Sequence, residues 1–199
     1  MKIYVDFDRT LFDCDKFLED LYTLINKYNI DRLLFKECQN QCRRKGFNPH
    51  TILNLVKEKY DFNDELFHEI NMLIGNTSAY LFPDSIPFLE YLKSINYEII
   101  ILTKGNSDYQ REKIFNSHLD RYYNKLIVTM KHKGKLNLDY ENSVFIDDNP
   151  IEIQSIMDKK PKMMIRMQRE NSKYSDISLN MDILTIKSLN EIAENKIIY

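Results

Sequence analysis

The sequence predicts an α/β protein in which helices cover a parallel β-sheet and an all-helical segment is inserted after the first strand. After Pro83, short apolar segments alternate with segments of helical period, as in parallel strands joined by helices. Some of these short segments, such as "IIIL" at 99–102, are apolar at every position, which is expected of strands buried on both faces. Between about residues 15 and 80, apolar residues recur at three- and four-residue spacing and no strand pattern occurs.

The first strand is predicted over residues 2–6, because its apolar residues are β-branched or aromatic and it stops at an acidic cluster. The insertion that follows is predicted to hold three or four helices. Asp15 is a candidate N-cap for the first of them, and Gly46 and Gly75 are candidate helix stops.

The remaining elements are predicted as alternating units of strand and helix, with two pairs of strands that follow each other directly. We expect helices over 86–95, 108–119 and 150–157, strands over 97–103, 125–130, 143–148, 162–167 and 183–186, and a closing helix from Ser188. This order divides the chain into a sheet domain, residues 1–14 and 81–199, and an inserted helical domain, residues 15–80.

Composition argues against some partners and compartments. The 28 basic and 30 acidic residues give a net charge of −2, so no global field draws the chain to nucleic acid or to a membrane. No apolar run is long enough for a membrane span, and Asp6 and Asp8 interrupt the stretch that a signal peptide would need. The three cysteines are an odd number without framework spacing, which fits a reducing compartment. We therefore expect a cytoplasmic protein, and no feature indicates its oligomeric state.

Polar side chains follow each of the first four predicted core strands. In chain order they are Asp6 and Asp8, then Thr103, Lys104, Gly105 and Asn106, then Lys131 and Lys133, then Asp147 and Asp148. Because ligands of open α/β sheets bind at the carboxyl ends of the strands, we expect these groups to converge. Four carboxylates, a hydroxyl and a lysine would suit a hard divalent cation beside a phosphate-sized ligand.

With these segments the chain resembles the haloacid dehalogenase (HAD) superfamily of phosphohydrolases over nearly its whole length. An apolar strand followed by Asp-x-Asp-x-Thr stands here as "VDFDRTL", a strand ending in Thr as "IIILTKGN", and a strand ending in paired acids as "VFIDDNP". Each motif alone is weak, but their order and spacing agree with the family. The resemblance implies a Rossmann-like, HAD-like sheet core with an inserted all-helical cap of type 1.

The resemblance also implies catalytic and metal-binding roles. Asp6 would be the nucleophile that forms an aspartyl-phosphate, and Asp8 would be the general acid and base. Thr103 would bind an oxygen of the transferring group. Mg²⁺ would be held by Asp147 and Asp148 together with Asp6 and the backbone carbonyl of Asp8.

Substrate contacts are expected from the loop after the second strand, at Lys104, Gly105 and Asn106, and from Arg9. Arg9 occupies a position where the family frequently has glycine. We expect the fold to tolerate this departure, which could bias substrate contacts.

The family's remaining motif is a lysine that precedes the paired acids and balances charge on the transferring group. Lys131, Lys133 and Lys135 are all candidates, and Lys133 is favoured because it precedes Gly134 in a predicted turn. Glu152, on the helix after the acid pair, would either orient the metal's water shell or be a surface acid near a helix N-terminus.

Structural roles are favoured for the other candidate ligands. A zinc site at Cys38, Cys42 and His50 would lack a fourth ligand, and the i, i+4 spacing of the cysteines suits a buried helix face. The basic stretch "RRK" at 43–45 reads as a solvated helix end, with a smaller chance that it meets an anionic substrate. The other histidines have no acid partner in a motif: His68, His118 and His132.

The sequence therefore predicts a Mg²⁺-dependent phosphatase for a small phosphorylated metabolite or nucleotide, with nucleic acid and membranes not expected as partners. The insertion would close over the substrate as a lid, and the alternative is a rigid bundle that completes the core. Two other functions stay open: a phosphatase acting on a protein or a nucleic-acid end, and a binding or regulatory protein that has lost turnover. No pattern in the insertion points to a particular chemical group of the substrate.

Overall fold

A computed structural model describes residues 1–42, 46–58 and 64–198. The strands are β1 (Lys2–Val5), β2 (Glu98–Lys104), β3 (Lys125–Thr129), β4 (Ser143–Asp147), β5 (Met163–Met167) and β6 (Leu184–Ile186). The helices are α1 (Cys14–Asn26), α2 (Arg32–Cys42), α3 (Pro49–Lys57), α4 (Asp64–Gly75), α5 (Ser85–Ser94), α6 (Ser107–Asn116), α7 (Pro150–Met157) and α8 (Asn190–Glu194). Short 3₁₀ turns cover Thr77–Tyr80 and Lys133–Lys135.

The described strands form one parallel sheet in the order β3-β2-β1-β4-β5-β6. β1 lies in its interior, with Val5 opposite Ile101 on β2 and Ile146 on β4. The carboxyl ends of these three strands therefore lie side by side. The predicted Rossmann-like α/β fold is confirmed.

Strands β1, β2, β4 and β5 are mostly buried, and alternate residues of each strand point to opposite faces of the sheet. Ile3 and Val5 belong to an apolar cluster that includes residues of α5 and α8. Tyr4 belongs to a second cluster that includes α7, and its ring stacks on Phe145 with centroids 4.6 Å apart. Burial of each apolar side chain of this size stabilises the folded state by roughly 1.5–3 kcal/mol, so both helical layers are held firmly on the sheet.

The helices α1 to α4 make up the insertion, and their apolar faces are continuous with the cluster on the α5 side of the sheet. The insertion also makes polar contacts with α6. Thr77 Oγ1 donates to the Lys113 carbonyl at 2.8 Å, and Asn116 Nδ2 donates to the Ile74 carbonyl at 3.0 Å. The helical content of residues 15–80 agrees with the sequence, whereas the division into two domains stays a prediction.

The two connections between the sheet and the insertion run alongside each other. Phe12 and Leu81 form an antiparallel bridge, and the Asp13 amide donates to the Tyr80 carbonyl at 2.7 Å. Arg169, which is buried, fixes this crossing by donating to both carboxylate oxygens of Asp84 at 2.7 Å and to a backbone carbonyl of the first connection.

The start of α1 differs from the sequence prediction. Asp13, not Asp15, caps the helix by accepting from the Lys16 amide at 3.0 Å. Asp15 lies in the first turn of the helix, and its carboxylate instead accepts from the Arg9 guanidinium. The capping position is thus taken by Asp13, while the Asp15 carboxylate forms an ion pair with a residue that precedes the helix.

Two predicted features of the insertion have different outcomes. α4 ends at Gly75, as predicted. The basic stretch at 43–45 lies outside the described residues, so its interpretation as a helix end stays a prediction, and the stop predicted at Gly46 lies just beyond it.

None of the helices in the described part of the chain combines the length and the apolar character needed to cross a bilayer.

Candidate active site

The carboxyl ends of β1, β2 and β4 and the turn after β3 surround a cavity of about 470 Å³. Nearly all of the site residues predicted from the sequence line it: Asp6, Asp8, Arg9, Thr103, Lys104, Gly105, Lys133, Asp147 and Asp148. Asn106 does not, because its side chain caps α6 by accepting from the Tyr109 amide at 3.1 Å. Topology alone therefore gathers groups that are far apart in sequence.

Three buried carboxylates form one cluster at this edge of the sheet. Asp6, Asp147 and Asp148 each offer an oxygen within 4.8 Å of the others, and no other such group of possible metal ligands occurs among the described residues. Burial raises the pKa of Asp6 to about 7, and it raises that of Asp148 well above its usual value, with the charge of Asp6 adding to the effect. Asp148 Oδ2 has no hydrogen-bond partner in the described chain. A hard divalent cation fits this cluster, because it would bind the unpartnered Asp148 oxygen and compensate the charge of the buried carboxylates.

Lys133 is the lysine that reaches the cluster. Its Nζ donates to Asp6 Oδ1 and Asp147 Oδ2, both at 2.5 Å, whereas Lys131 and Lys135 are exposed. Burial acts to lower the pKa of Lys133, but Asp147 and Asp6 outweigh it, and the pKa lies above its usual value. The lysine is therefore a buried cation held between two acids.

Gly134 allows the close packing of the turn that positions Lys133. A Cβ at Gly134 would lie 1.8 Å from the Ser155 carbonyl oxygen, so only glycine lets the 3₁₀ turn pack against α7. The sequence-based preference for Lys133, which rested on the following Gly134, agrees with this packing.

Asp8 is held by two residues of α6 that the sequence reasoning missed. Lys113 Nζ donates to Asp8 Oδ1 at 2.5 Å, and Gln110 Nε2 donates to Asp8 Oδ2 at 2.8 Å. Burial acts to raise the pKa of Asp8, but the charge and hydrogen bond of Lys113 outweigh it, so the pKa lies below its usual value. Asp8 is therefore ionised in the resting site, whereas the raised pKa of Asp6, two residues earlier, makes that carboxyl harder to ionise.

Thr103 is buried at the end of β2, and its hydroxyl has no hydrogen-bond partner among residues 1–42, 46–58 and 64–198. A buried hydroxyl without a partner costs roughly 1–3 kcal/mol. Because Thr103 lines the cavity, an anionic oxygen of a ligand would relieve this cost. The feature agrees with the predicted contact to a phosphoryl oxygen.

Glu152 is a buried link between α7 and the turn that carries Lys133. Its Oε2 accepts from the Lys133 amide at 2.7 Å, and its Oε1 accepts from Lys104 Nζ at 2.7 Å and lies 2.9 Å from His132 Nδ1. The surface-acid interpretation of Glu152 is therefore wrong, and so is the expectation that His132 has no acid partner. Both errors arise from contacts between segments that are distant in sequence.

Arg9 has a backbone that explains the family's preference for glycine. Its φ is +60°, in the left-handed region, which costs a non-glycine residue about 1 kcal/mol or more. The Arg9 guanidinium donates to both carboxylate oxygens of Asp15, at 2.6 and 2.9 Å, so its charge at the cavity wall is largely balanced. The side chain contributes to the wall together with its acid, not as a lone cation.

The insertion contributes Gly46 and Phe47 to the wall of the cavity. Gly46 has φ +81°, and a Cβ on it would lie 2.4 Å from the Asn106 backbone nitrogen. The insertion thus touches the loop after β2 through a position that only glycine fills. Cys38 and Cys42 are buried in the apolar cluster that includes the insertion, in line with the buried helix face expected for them.

No known family profile matches the sequence, and no curated protein matches it. Solved structures do match. A protein of Burkholderia xenovorans LB400 assigned as a haloacid dehalogenase-like hydrolase has a TM-score of 0.77 at 16% identity, over 96% of this chain and 94% of that one. YfnB of Bacillus subtilis, assigned as a HAD hydrolase and solved with magnesium, has a TM-score of 0.67 at 14% identity, over 99% and 98%.

An L-2-haloacid dehalogenase of Xanthobacter autotrophicus, solved with chloropropionic acid covalently bound, has a TM-score of 0.65 at 11% identity, over 97% of this chain and 96% of that one. All three likenesses extend over nearly the whole chain at low identity. The chain therefore has the fold of the HAD-superfamily hydrolases, and these neighbours differ in the chemistry that their names describe.

Proposed function

We propose that this protein, which has the HAD-like fold, is a Mg²⁺-dependent phosphatase that hydrolyses phosphomonoesters of small molecules through an aspartyl-phosphate intermediate. The observation that carries the proposal is that one cavity combines a buried acidic cluster with the two groups suited to a phosphoryl oxygen. These groups are the unpartnered Thr103 hydroxyl and the Lys133 ammonium. A cation site directly beside anion-binding groups is the arrangement that phosphoryl transfer needs.

In the first half-reaction an Asp6 carboxylate oxygen attacks phosphorus, the bond from phosphorus to the ester oxygen breaks, and Asp8 gives a proton to that oxygen. In the second half-reaction water attacks the same phosphorus and gives a proton to Asp8. The bond from phosphorus to Asp6 then breaks and phosphate is released. The negative charge of a bound phosphate raises the pKa of a neighbouring carboxyl, which helps Asp8 to carry the proton in the first half-reaction.

The residues that would hold Mg²⁺ are Asp6 and Asp148, together with the Asp8 carbonyl and Asp147. Asp147 already accepts hydrogen bonds at both oxygens, from Lys133 and from the Asn149 amide at 2.9 Å. Asp148, with an unpartnered oxygen, is therefore the acid best placed to take the ion. When bound, Mg²⁺ would reduce the repulsion between the carboxylates and an anionic substrate.

Asp8 favours phosphoester hydrolysis over dehalogenation, because the resemblance described above implies that family dehalogenases lack an acid at this position. The insertion favours small substrates. Gly46 and Phe47 of the insertion form part of the cavity wall, which leaves less room for a protein or a nucleic-acid end. We extend the proposal to residues 15–80 as a cap that encloses the substrate.

The proposal is tested by hydrolysis of 4-nitrophenyl phosphate. We expect turnover with Mg²⁺ and a loss of at least about 100-fold with a chelator. Asp148→Asn should raise the Mg²⁺ concentration needed for half-maximal rate by about tenfold or more, since it removes a charged ligand. Asp139→Asn is the matched control, because Asp139 is exposed and its carboxylate accepts from Asn142 Nδ2 at 2.9 Å. Turnover that does not depend on metal would contradict the proposal, and no turnover of any phosphomonoester would favour the non-catalytic alternative.

A second prediction concerns Gly46. Gly46→Ala should raise KM for small phosphoesters by roughly 5- to 100-fold. The new methyl group would clash with the Asn106 backbone, and alanine is strained at the positive φ of this position. Steady-state kinetics measures this effect. Gly75→Ala is the control, since a Cβ at Gly75 meets nothing within 4 Å. Equal kinetics for the two variants would mean that the contact with Asn106 does not enclose the substrate.

A further inference from the structure

A second cavity of about 230 Å³ lies beside the catalytic one, between the insertion and α6. Asp8 and Phe47 line both cavities. If Asp8 protonates the ester oxygen, as in the proposed function on which this inference rests, the leaving group enters this second cavity. The chemistry of its walls therefore indicates the class of alcohol that the enzyme releases.

The walls include three aromatic rings, those of Phe17, Phe47 and Tyr109. The Phe47 and Tyr109 rings are 5.7 Å apart at 67°, and the Phe17 and Tyr109 rings are 6.5 Å apart. Phe17 and Phe47 belong to the insertion and Tyr109 to α6, so a ligand placed among them contacts both parts of the fold. Rings of this kind present apolar faces to the C–H groups of a ligand.

Two residues of this wall each carry a buried polar atom that has no partner among the described residues. These atoms are the Tyr109 hydroxyl and Gln110 Oε1, on side chains that are 2% and 4% exposed. The hydroxyl donates and accepts, and the amide oxygen accepts, so a ligand with several hydroxyl groups could satisfy both. Gln39, on α2, adds a further amide to the same cavity.

Three of the four cationic side chains that line the second cavity are paired with an acid. Arg9 pairs with Asp15, Lys104 with Glu152, and Lys113 with Asp8. The fourth, Lys173, is exposed to solvent, whereas Lys113 is buried. The inner walls thus offer hydrogen-bonding groups without a surplus charge, which disfavours a leaving group with an acid or an amine of its own.

We propose that the leaving group is an uncharged polyhydroxy alcohol of about three to six carbons, bound by Tyr109 and Gln110 and covered by Phe47. The size follows from the cavity volume of about 230 Å³. At about 30 Å³ for each carbon with its hydroxyl group, close to the volume of one water in the liquid, a six-carbon chain fills roughly 180 Å³. The hydroxyl groups pair with the two unpartnered atoms, and the carbon skeleton contacts the aromatic rings.

The test measures binding in a protein that does not turn over. Calorimetry on the Asp6→Asn variant with Mg²⁺ would compare glucitol 6-phosphate, hexyl phosphate and 6-phosphogluconate, which share a six-carbon chain and differ in hydroxyl groups and charge. We expect glucitol 6-phosphate to bind at least about tenfold more tightly than the other two, because hexyl phosphate leaves buried polar atoms unpaired and 6-phosphogluconate adds an uncompensated charge.

Tyr109→Phe, made in the same Asp6→Asn background, should reduce the preference for glucitol 6-phosphate over hexyl phosphate by about 5- to 10-fold, the effect of one hydrogen bond. The matched control is Tyr22→Phe. Tyr22 is in the insertion but does not line the cavity, and its hydroxyl donates to Asn26 at 3.3 Å. The control should leave the preference unchanged.

The inference is overturned if hexyl phosphate or 6-phosphogluconate binds as tightly as glucitol 6-phosphate, if none of the three binds, or if Tyr109→Phe leaves the preference intact. Failure of the proposed function has a different signature. In that case the parent protein does not hydrolyse 4-nitrophenyl phosphate. The relative affinities for the three phosphate esters can still be measured, and they still show whether the second cavity prefers an uncharged polyhydroxy ligand.

Discussion

Asp6→Asn should lower kcat for any phosphomonoester by at least about 10⁴-fold and leave the fold intact, because the amide has nearly the same shape as the carboxylate but is not a nucleophile. The amide also keeps an oxygen for the hydrogen bond from Lys133 Nζ. Steady-state and single-turnover kinetics measure the loss, and circular dichroism measures the fold. Asp139→Asn, on the exposed surface, is the control with the same chemical change. Turnover above about a hundredth of the parent rate would exclude the covalent mechanism.

The same substitution should change how stability depends on pH. Asp6 in the metal-free folded protein has a pKa raised to about 7 by burial, so the folded state holds this proton more tightly than the unfolded state. Its ionisation therefore favours unfolding, and the parent protein loses stability as pH rises from about 4 to about 7. Asp6→Asn removes this contribution, and its melting temperature should fall less over that interval. A parallel pH dependence of the two proteins would contradict the raised pKa.

Lys133→Met should cost about 3–5 kcal/mol of the free energy of unfolding at neutral pH and reduce activity by about 10³-fold or more. The lysine is the buried cation between Asp6 and Asp147, so its removal takes one hydrogen bond and the compensating charge from each of two buried carboxylates. Denaturant unfolding measures the first effect and steady-state kinetics the second. Lower pH should reduce the stability loss, because the carboxyls then take up protons.

Two neighbours of Lys133 provide matched controls. Lys131→Met and Lys135→Met change exposed side chains of the same segment and should alter stability by no more than about 0.5 kcal/mol. If Lys131→Met or Lys135→Met reduced activity as strongly as Lys133→Met, the lysine of the site would have been assigned wrongly. If all three variants were as stable as the parent, the acidic cluster would not need a buried cation.

The sheet and the residues that end its strands could be predicted from the sequence, because both follow from local pattern and one topological rule. A strand such as β1 is recognisable from its own residues, and the carboxyl ends of parallel strands meet regardless of the length of chain between them. Asp6, Thr103 and Asp148 converge for this reason. Local pattern also sufficed for the helical nature of the insertion.

The partners of these residues could not be predicted, because they depend on which helix face becomes buried. In the sequence Lys113 reads as an ordinary charge on an amphipathic helix, yet it is 2% exposed. The insertion packs on α6, and the lysine then finds Asp8 and lies about 5 Å from the ring centres of Phe7 and Phe12. Only the i, i+3 spacing of Gln110 and Lys113 hints that the two residues share a face.

The position of β1 inside the sheet also has a consequence for how the chain acquires its fold. The partners of β1, Glu98–Lys104 and Ser143–Asp147, are separated from it by the whole insertion and by later helices. Closing such long loops carries an entropic cost before any pairing compensates it, and a high contact order slows folding. During synthesis the whole insertion emerges while β1 still lacks both neighbours. An apolar strand with two unpaired edges is a site for association with other chains, so we expect the nascent protein to depend on chaperones until β4 has left the ribosome.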